Sequence, residues 1–134
     1  MTVSVGGNVL DVPALLDAAT GATQYMRALL AVMTRRGCIV AVPSAVRARA
    51  AGQLATAGEL AELDWFCAVG TVLEIPIAAS DVSELEHLAK DHFAGDTAQA
   101  HAALFARRRG WPVITTEPRA AGFRSAGAEV ELLP

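Results

Sequence analysis

Residues 95–118, GDTAQAHAALFARRRGWPVITTEP, contain the most informative pattern in the chain. An alanine-rich helical stretch begins at Asp96, ends in three arginines before Gly110, and leads into a short apolar segment that closes with Glu117. Aspartate is a common residue before the first helical turn, and glycine is common after the last one. The stretch therefore predicts a helix followed by a short buried strand, with a carboxylate at the start of the helix and another just after the strand.

Short apolar runs recur along the rest of the chain and are separated mostly by helical patterns. Several are nearly continuous in valine, isoleucine and leucine, which is typical of parallel strands covered by helices on both faces. We therefore predict an α/β fold with a mostly parallel central sheet of four or five strands. The predicted strands are Asn8 to Leu10, Cys38 to Val42, Thr71 to Ile77, Pro112 to Thr115 and Glu129 to Leu133.

Composition limits the class of protein. The chain has 134 residues, of which 53% are hydrophobic, and this suits a single domain over residues 1–134. No apolar run approaches the roughly 18 residues needed to cross a bilayer, so we expect no contact with a membrane. The start, Met-Thr-Val-Ser-Val-Gly-Gly, lacks the features of a signal peptide, and we expect a cytoplasmic protein.

Cysteine, histidine and arginine residues give weak functional signals. Cys38 and Cys67 have no ligand-like spacing and are expected to be reduced packing residues, and no histidine pair predicts a zinc site. We expect His101 to pack or to make a surface hydrogen bond. The clusters Arg35-Arg36 and Arg107 to Arg109 suit phosphate, but each precedes a glycine and is explained more simply as a helix end that complements the dipole. A net charge of −3 argues against a broad nucleic-acid surface, although not against a small active site.

Three segments together resemble the PIN domain family, whose small members include the VapC-type toxin ribonucleases. VLDVPALL (9–16) resembles the first acidic motif, VPSAV (42–46) the entry to the second, and the segment 96–118 the third and fourth. The resemblance covers nearly the full length. It implies an α/β/α sandwich of three layers, in which acidic side chains bind Mg²⁺ or Mn²⁺ and activate water to cleave RNA. Carboxylate oxygens suit these cations, which lower the pKa of bound water.

Carried over residue by residue, the resemblance implies that Asp11, Asp96 and Glu117 bind the metal and are catalytic, and Thr115 lies in the same matching segment. The remaining acidic position falls on Arg49, and no acidic residue occurs between positions 44 and 58. We expect a guanidinium at this point to form bidentate hydrogen bonds with Asp11 or Asp96 and to fill the space of a cation.

Each carboxylate also has a structural explanation. Asp96, three residues before Gln99, is a reasonable N-cap even without an active site. Asp11 precedes Pro13 and is open to the same explanation, since proline is tolerated in a first helical turn. Glu117 suits the positive end of a short helix that begins near Pro118. These alternatives remain open at the level of sequence.

Two functions follow, and the sequence leaves open whether the protein is an enzyme. The first is a VapC-like, Mg²⁺- or Mn²⁺-dependent ribonuclease of weak activity, which a small antitoxin would hold in check. The second is a catalytically silent PIN-like module that needs no cofactor and binds RNA or protein, with Arg49 replacing the charge of the metal. Exposed apolar helix surface would also suit a homodimer.

Overall fold

The computed structural model describes residues 6–134. All five predicted strands are confirmed, and each agrees with its prediction to within two residues at either end. The strands are β1 (Gly7–Leu10), β2 (Ile39–Pro43), β3 (Val72–Ile75), β4 (Val113–Thr115) and β5 (Val130–Leu132). The helices are α1 (Val12–Thr20), α2 (Tyr25–Arg36), α3 (Ser44–Gln53), α4 (Ala57–Ala68), α5 (Val82–His92), α6 (Thr97–Arg109) and α7 (Glu117–Ser125), with a 3-10 turn (Ala79–Asp81) before α5.

The expectation about a signal peptide rests mainly on residues 1–5, which lie outside the described part of the chain. Among residues 6–134, no helix has the length and apolar character needed to cross a membrane.

The five strands form one parallel sheet in the order β3-β2-β1-β4-β5. Val9 in the central strand β1 pairs with Ala41 of β2 on one side and with Val113 of β4 on the other. All three are fully buried, as expected for central strands covered on both faces. The last strand, β5, lies at one edge of the sheet.

The strand order explains the three layers. From β1 the chain moves through β2 to β3, and from β3 it returns past β1 to β4 and β5. Because parallel crossovers are right-handed, the two directions place α1–α4 on one face of the sheet and α5–α7 on the other. In agreement, α1 packs against α2 and α4, whereas α5 packs against α6 and α7. The predicted α/β/α arrangement is confirmed.

The amino-terminal ends of α4 and α5 differ in how they are capped. Thr56 with Glu59 and Asp81 with Glu84 both have the spacing in sequence that predicts a capping box. Thr56 and Glu59 form one, in which each side chain accepts a hydrogen bond from the backbone of the other. The analogous pattern at Asp81 and Glu84 gives no side-chain cap. Both carboxylates instead accept hydrogen bonds from Arg108, at 2.9 and 3.1 Å to Asp81 and 3.1 Å to Glu84. A charged guanidinium fork is a stronger partner than one backbone amide.

The arginine clusters lie where the sequence predicts helix ends. Arg36 and Arg109 are the last residues of α2 and α6, and the glycines that follow adopt left-handed conformations with φ of 66° and 68°. Cys38 and Cys67 are free thiols and are half-buried.

Candidate functional site

The candidate site lies beyond the carboxyl ends of β1 and β4. These neighbouring strands continue into α1 and α7, which cover opposite faces of the sheet, and such a reversal of strand order opens a crevice in parallel α/β folds. Asp11 follows β1 directly, and its backbone amide donates to the Ile114 carbonyl at 3.1 Å. This bond holds Asp11 beside the end of β4, in the crevice where the sequence predicts a site.

The Asp11 carboxylate is fully buried and has three hydrogen-bond donors. The Thr115 hydroxyl donates to Oδ2 at 2.7 Å, Arg119 Nε donates to the same oxygen at 2.6 Å, and Arg119 Nη2 donates to Oδ1 at 3.0 Å. A buried charge is stabilised by hydrogen-bonded partners of this kind, and here one of them is itself charged. Asp11 occupies the N-cap position of α1 but makes no side-chain capping bond, so the explanation of Asp11 as a cap is wrong.

Arg119 is the residue that the sequence analysis missed. It is the third residue of α7, and the hydrogen bonding that it donates to Asp11 raises the pKa of its guanidinium above the ordinary value. Burial acts in the opposite direction, while the charges of Asp11 and Asp96 add to the rise. A cation in the first turn of a helix is unfavourable to the helix dipole. A positive charge at this position, two residues after Glu117, is therefore the feature of the sequence that predicts an acidic partner for Arg119.

Asp96 caps α6, as predicted, and it also faces Arg49. Its Oδ1 accepts a hydrogen bond from the Gln99 backbone amide at 3.0 Å and so caps α6. Its Oδ2 lies 3.5 Å from Nη1 of Arg49, whose side chain is 50% exposed. Arg49 therefore reaches the site, as predicted, but through one long contact with Asp96. The bidentate contact predicted for Arg49 is made instead by Arg119, because the first turn of α7 lies directly over Asp11.

The structure does not bring Glu117 together with Asp11 and Asp96. Glu117 is exposed at the first position of α7, where its charge suits the helix dipole. In the part of the chain from residue 6 onward, no group of three or more histidine, cysteine, aspartate or glutamate side chains is arranged to hold a metal ion. The catalytic and metal-binding roles of Asp11, Asp96 and Glu117 thus remain predictions.

The donor set at the crevice does not fit a divalent cation as it stands. Mg²⁺ and Mn²⁺ need carboxylate oxygens that are free to enter the coordination shell. Both oxygens of Asp11 are engaged by Arg119, and those of Asp96 face a backbone amide and Arg49. The formal charges of the two carboxylates and two guanidiniums cancel. Little electrostatic attraction for a cation remains.

An open hollow lies next to this cluster, between α3 and α6. Its volume is about 470 Å³, and mostly small side chains line it: Ala45, Ala48, Arg49, Gly52, Gln53, Thr97 and Ala98. The Arg49 guanidinium is the only charged group in this lining within the described residues. Any group that enters the crevice from this side meets a positive charge first.

His101 lies further along α6 and is buried. The expectation that it packs in the interior is confirmed, whereas the alternative of a surface hydrogen bond is wrong. Burial lowers the pKa of its imidazole, against the smaller opposing effects of the Pro76 carbonyl and the Asp81 charge. Its Nδ1 has no hydrogen-bond partner among residues 6–134.

The strand order and the three layers define a PIN-like α/β fold. A chain in the crystal structure of VapBC2 from Rickettsia felis bound to a DNA fragment from their promoter has the same fold, with a TM-score of 0.68. The two sequences are 13% identical, and the alignment covers 94% of this chain and 98% of the other. No family model and no curated protein matches the sequence. At this identity the likeness shows the fold alone.

Proposed function

We propose that this chain is a catalytically silent PIN-like module that acts by binding a partner. The observation that carries the proposal is the bidentate hydrogen bonding of Arg119 to the fully buried Asp11. In a metal-dependent nuclease of the VapC kind, which the sequence resembles, the equivalent carboxylate is expected to face a cation. Here a permanent charge within the chain takes that place.

The exchange has a physical rationale. Burial of the Asp11 carboxylate without partners would cost several kcal/mol, and a cation, whether a metal ion or an arginine, offsets that cost. Arginine supplies the charge without depending on metal concentration, and its planar fork matches both carboxylate oxygens. Arg49 adds a second positive charge on the solvent side of Asp96. The presence of the aspartates is then explained by stability and by the capping of α6, without any catalytic role.

A protein partner is the ligand that this proposal favours. Two large apolar side chains, Trp65 on α4 and Leu73 on the edge strand β3, are 63% and 47% exposed, and α4 packs against β3. Contiguous exposed apolar surface is typical of protein-binding sites. The fold neighbour was solved as a VapBC2 complex on DNA. We therefore propose a small antitoxin-like protein as the partner, with a second copy of this chain as the competing occupant of the apolar surface.

The second candidate function is the ribonuclease that the resemblance implies. It is favoured by the position of Asp11, Thr115 and Asp96, which still surround the crevice at the switch point of the sheet. The side chains of Arg119 and Arg49 are 30% and 50% exposed, so both guanidiniums have a path to solvent. Cleavage would require both arginines to leave their carboxylates before Mg²⁺ or Mn²⁺ could bind.

An RNA cleavage assay separates the two candidates. We expect the native chain to leave a labelled single-stranded RNA intact in Mg²⁺ and in Mn²⁺, and to behave like Asp96→Asn prepared in parallel. Cleavage by the native chain that Asp96→Asn abolishes would overturn the silent module and establish the nuclease. Cleavage by both proteins in equal amount would reveal a contaminating nuclease and would be removed by further purification before the comparison is made.

Partner binding has its own test. We expect the protein encoded by an adjacent small reading frame to form a stable complex with this chain in size-exclusion chromatography with light scattering. Trp65→Ser should weaken the complex, whereas Lys90→Ser, at an exposed polar position on α5, should not. If the chain alone elutes as a dimer that Trp65→Ser dissociates, the apolar surface is a homodimer interface instead.

A further inference from the structure

The arginines at the ends of α2 and α6 lie at the edge of the sheet opposite to the candidate site. In a parallel sheet, each helix that precedes a strand returns the chain to the amino edge. Arg35 and Arg36 precede β2, and Arg109 precedes β4, while β1 lies between these two strands. Neighbouring strands are about 4.8 Å apart, so the two groups are two strands, or roughly 10 Å, apart along the sheet, and α2 and α6 place them on opposite faces of it. We call Arg35, Arg36 and Arg109 the arginine edge.

The arginines at the two helix ends differ in whether they have an acidic partner. Arg107 and Arg108 form ion pairs with Glu84 and Asp81 at 2.8 and 2.9 Å. The three residues of the arginine edge are exposed and form no ion pair with any carboxylate in residues 6–134. Residues 1–5, Met-Thr-Val-Ser-Val, contain no acidic side chain. The arginine edge therefore keeps its full positive charge, in contrast to the neutralised crevice.

Aromatic packing holds one member of the arginine edge in place. The Arg109 guanidinium lies over Phe105 and Trp111, 5.4 and 5.8 Å from the ring centroids. The two rings are themselves 5.9 Å apart in an edge-to-face arrangement. Trp111 packs so closely on Gly7 that a Cβ atom at Gly7 would lie 2.6 Å from the ring. This packing supports Arg109, whose side chain is exposed to solvent.

We propose that the arginine edge binds single-stranded nucleic acid. Guanidiniums pair with phosphates through two parallel hydrogen bonds, and unstacked bases stack on guanidinium planes. Arg35 and Arg36 thus provide contacts to phosphates, and Arg109 provides a supported plane for a base. An extended nucleic-acid strand carries a phosphate on every nucleotide, so a strand of several nucleotides that crosses the amino edge of the sheet would reach both groups. The site lies on the opposite edge from Asp11 and is independent of the proposed function.

Fluorescence anisotropy with a labelled single-stranded RNA, and with DNA of the same sequence, tests the proposal at low ionic strength. Arg35→Gln/Arg36→Gln should weaken binding by about tenfold and lower the dependence of log K on log salt by about 1.4, since each lost phosphate contact in a single strand accounts for about 0.7. Arg109→Gln should weaken binding by about tenfold through lost stacking. The matched control Arg27→Gln/Lys90→Gln removes the same charge from other surfaces and should leave the affinity unchanged.

The outcomes are distinct. Binding of RNA, or of RNA and DNA alike, with selective loss in the arginine-edge variants supports the proposal. Absence of binding by the native chain at low salt overturns it, as does equal weakening by the control pair. Equal competition by polyglutamate also overturns it, because the edge would then recognise acidic chains in general. Circular dichroism and thermal melting of every variant verify that the fold is retained, and Arg35→Lys/Arg36→Lys should restore part of the affinity.

Discussion

Asp11 and Asp96 both face an arginine, yet the two contacts differ in burial, distance and number of hydrogen bonds. Asp11 is fully buried and receives two hydrogen bonds from Arg119, at 2.6 and 3.0 Å. Asp96 is partly exposed and lies 3.5 Å from one nitrogen of the half-exposed Arg49. Water and salt screen the second contact but hardly reach the first. Arg119 therefore neutralises most of the negative charge in the crevice, and Arg49 has a minor electrostatic role.

A third carboxylate shows that burial alone does not require an arginine. Asp17 in α1 is also buried, and it accepts hydrogen bonds from the Thr23 amide, the Thr23 hydroxyl and the Met26 amide at 2.8 to 3.2 Å. These neutral donors fasten the turn between α1 and α2. Asp11 has one neutral side-chain donor, Thr115, and depends on Arg119 for the others. The pairing of Asp11 with a guanidinium is therefore a feature of the crevice and does not follow from burial alone.

The largest expected effect is that of Arg119→Ala. Removing one partner of a buried ion pair leaves an unpaired charge, so the free energy of unfolding should fall by about 3–5 kcal/mol in urea denaturation. Arg124→Ala, an exposed arginine on the same helix, is the control and should change stability by less than about 0.5 kcal/mol. Equal effects of the two substitutions would show that the Arg119 contact does not hold Asp11.

Thr115→Val comes next and tests the neutral donor to Asp11. Valine keeps the shape of the side chain and removes the hydroxyl that donates to Oδ2 at 2.7 Å. We expect a loss of about 1–3 kcal/mol, the usual cost of leaving one buried acceptor short of a partner. Denaturation of Thr115→Val and Thr116→Val measured side by side provides the check, since Thr116 makes no side-chain cap. A neutral result at position 115 would mean that Arg119 alone satisfies Asp11.

Asp96 and Arg49 should show smaller effects. Asp96→Ala should lower the free energy of unfolding by about 1 kcal/mol through loss of the cap on α6, and Asp96→Ser should recover most of this loss because serine also caps.

Arg49→Ala should lower the free energy of unfolding by between 0 and about 1 kcal/mol, and this loss should vanish at high salt. Thermal melts at low and high salt measure both. If Arg49→Ala loses stability to the same extent at high salt, the contact of Arg49 with Asp96 is as strong as that of Arg119 with Asp11.

The smallest effect concerns pH and α6, the helix that Asp96 caps. Since burial lowers the pKa of His101, the unfolded chain binds a proton more readily than the folded one. Stability should be complete above the unfolded pKa of about 6.5 and should decline as the pH falls below it. Unfolding free energies across this range should show a flatter slope for His101→Gln than for the native chain. His87→Gln, at an exposed position on α5, is the control variant.

The sequence was most informative where a pattern depended on neighbouring residues. The five apolar runs predicted the five strands, and the Thr56–Glu59 and Asp96–Gln99 spacings predicted two caps. The crevice was located because strands of a parallel sheet end at one edge. These features follow from periodicity and from short-range hydrogen bonding.

The site was predicted less well because its partners are distant in sequence. Arg119 meets Asp11 across 108 positions, and only the folded sheet brings α7 over β1. Arg49 was correctly placed near the acidic residues by motif spacing, but spacing does not show which carboxylate a flexible side chain contacts. The failure of the Asp81 cap has the same origin, since Arg108 reaches it from another helix. Long-range ion pairs override local signals here.

Titration with Mn²⁺, followed by electron paramagnetic resonance, tests the central claim most directly. Arg49→Glu alone should not create a site, because Arg119 still engages both oxygens of Asp11. Arg119→Ala/Arg49→Glu frees Asp11 and adds a carboxylate, and it should bind one Mn²⁺ ion that the native chain does not bind at micromolar concentration. Tight binding of Mn²⁺ by the native chain, lost in both Asp11→Asn and Asp96→Asn, would contradict the account.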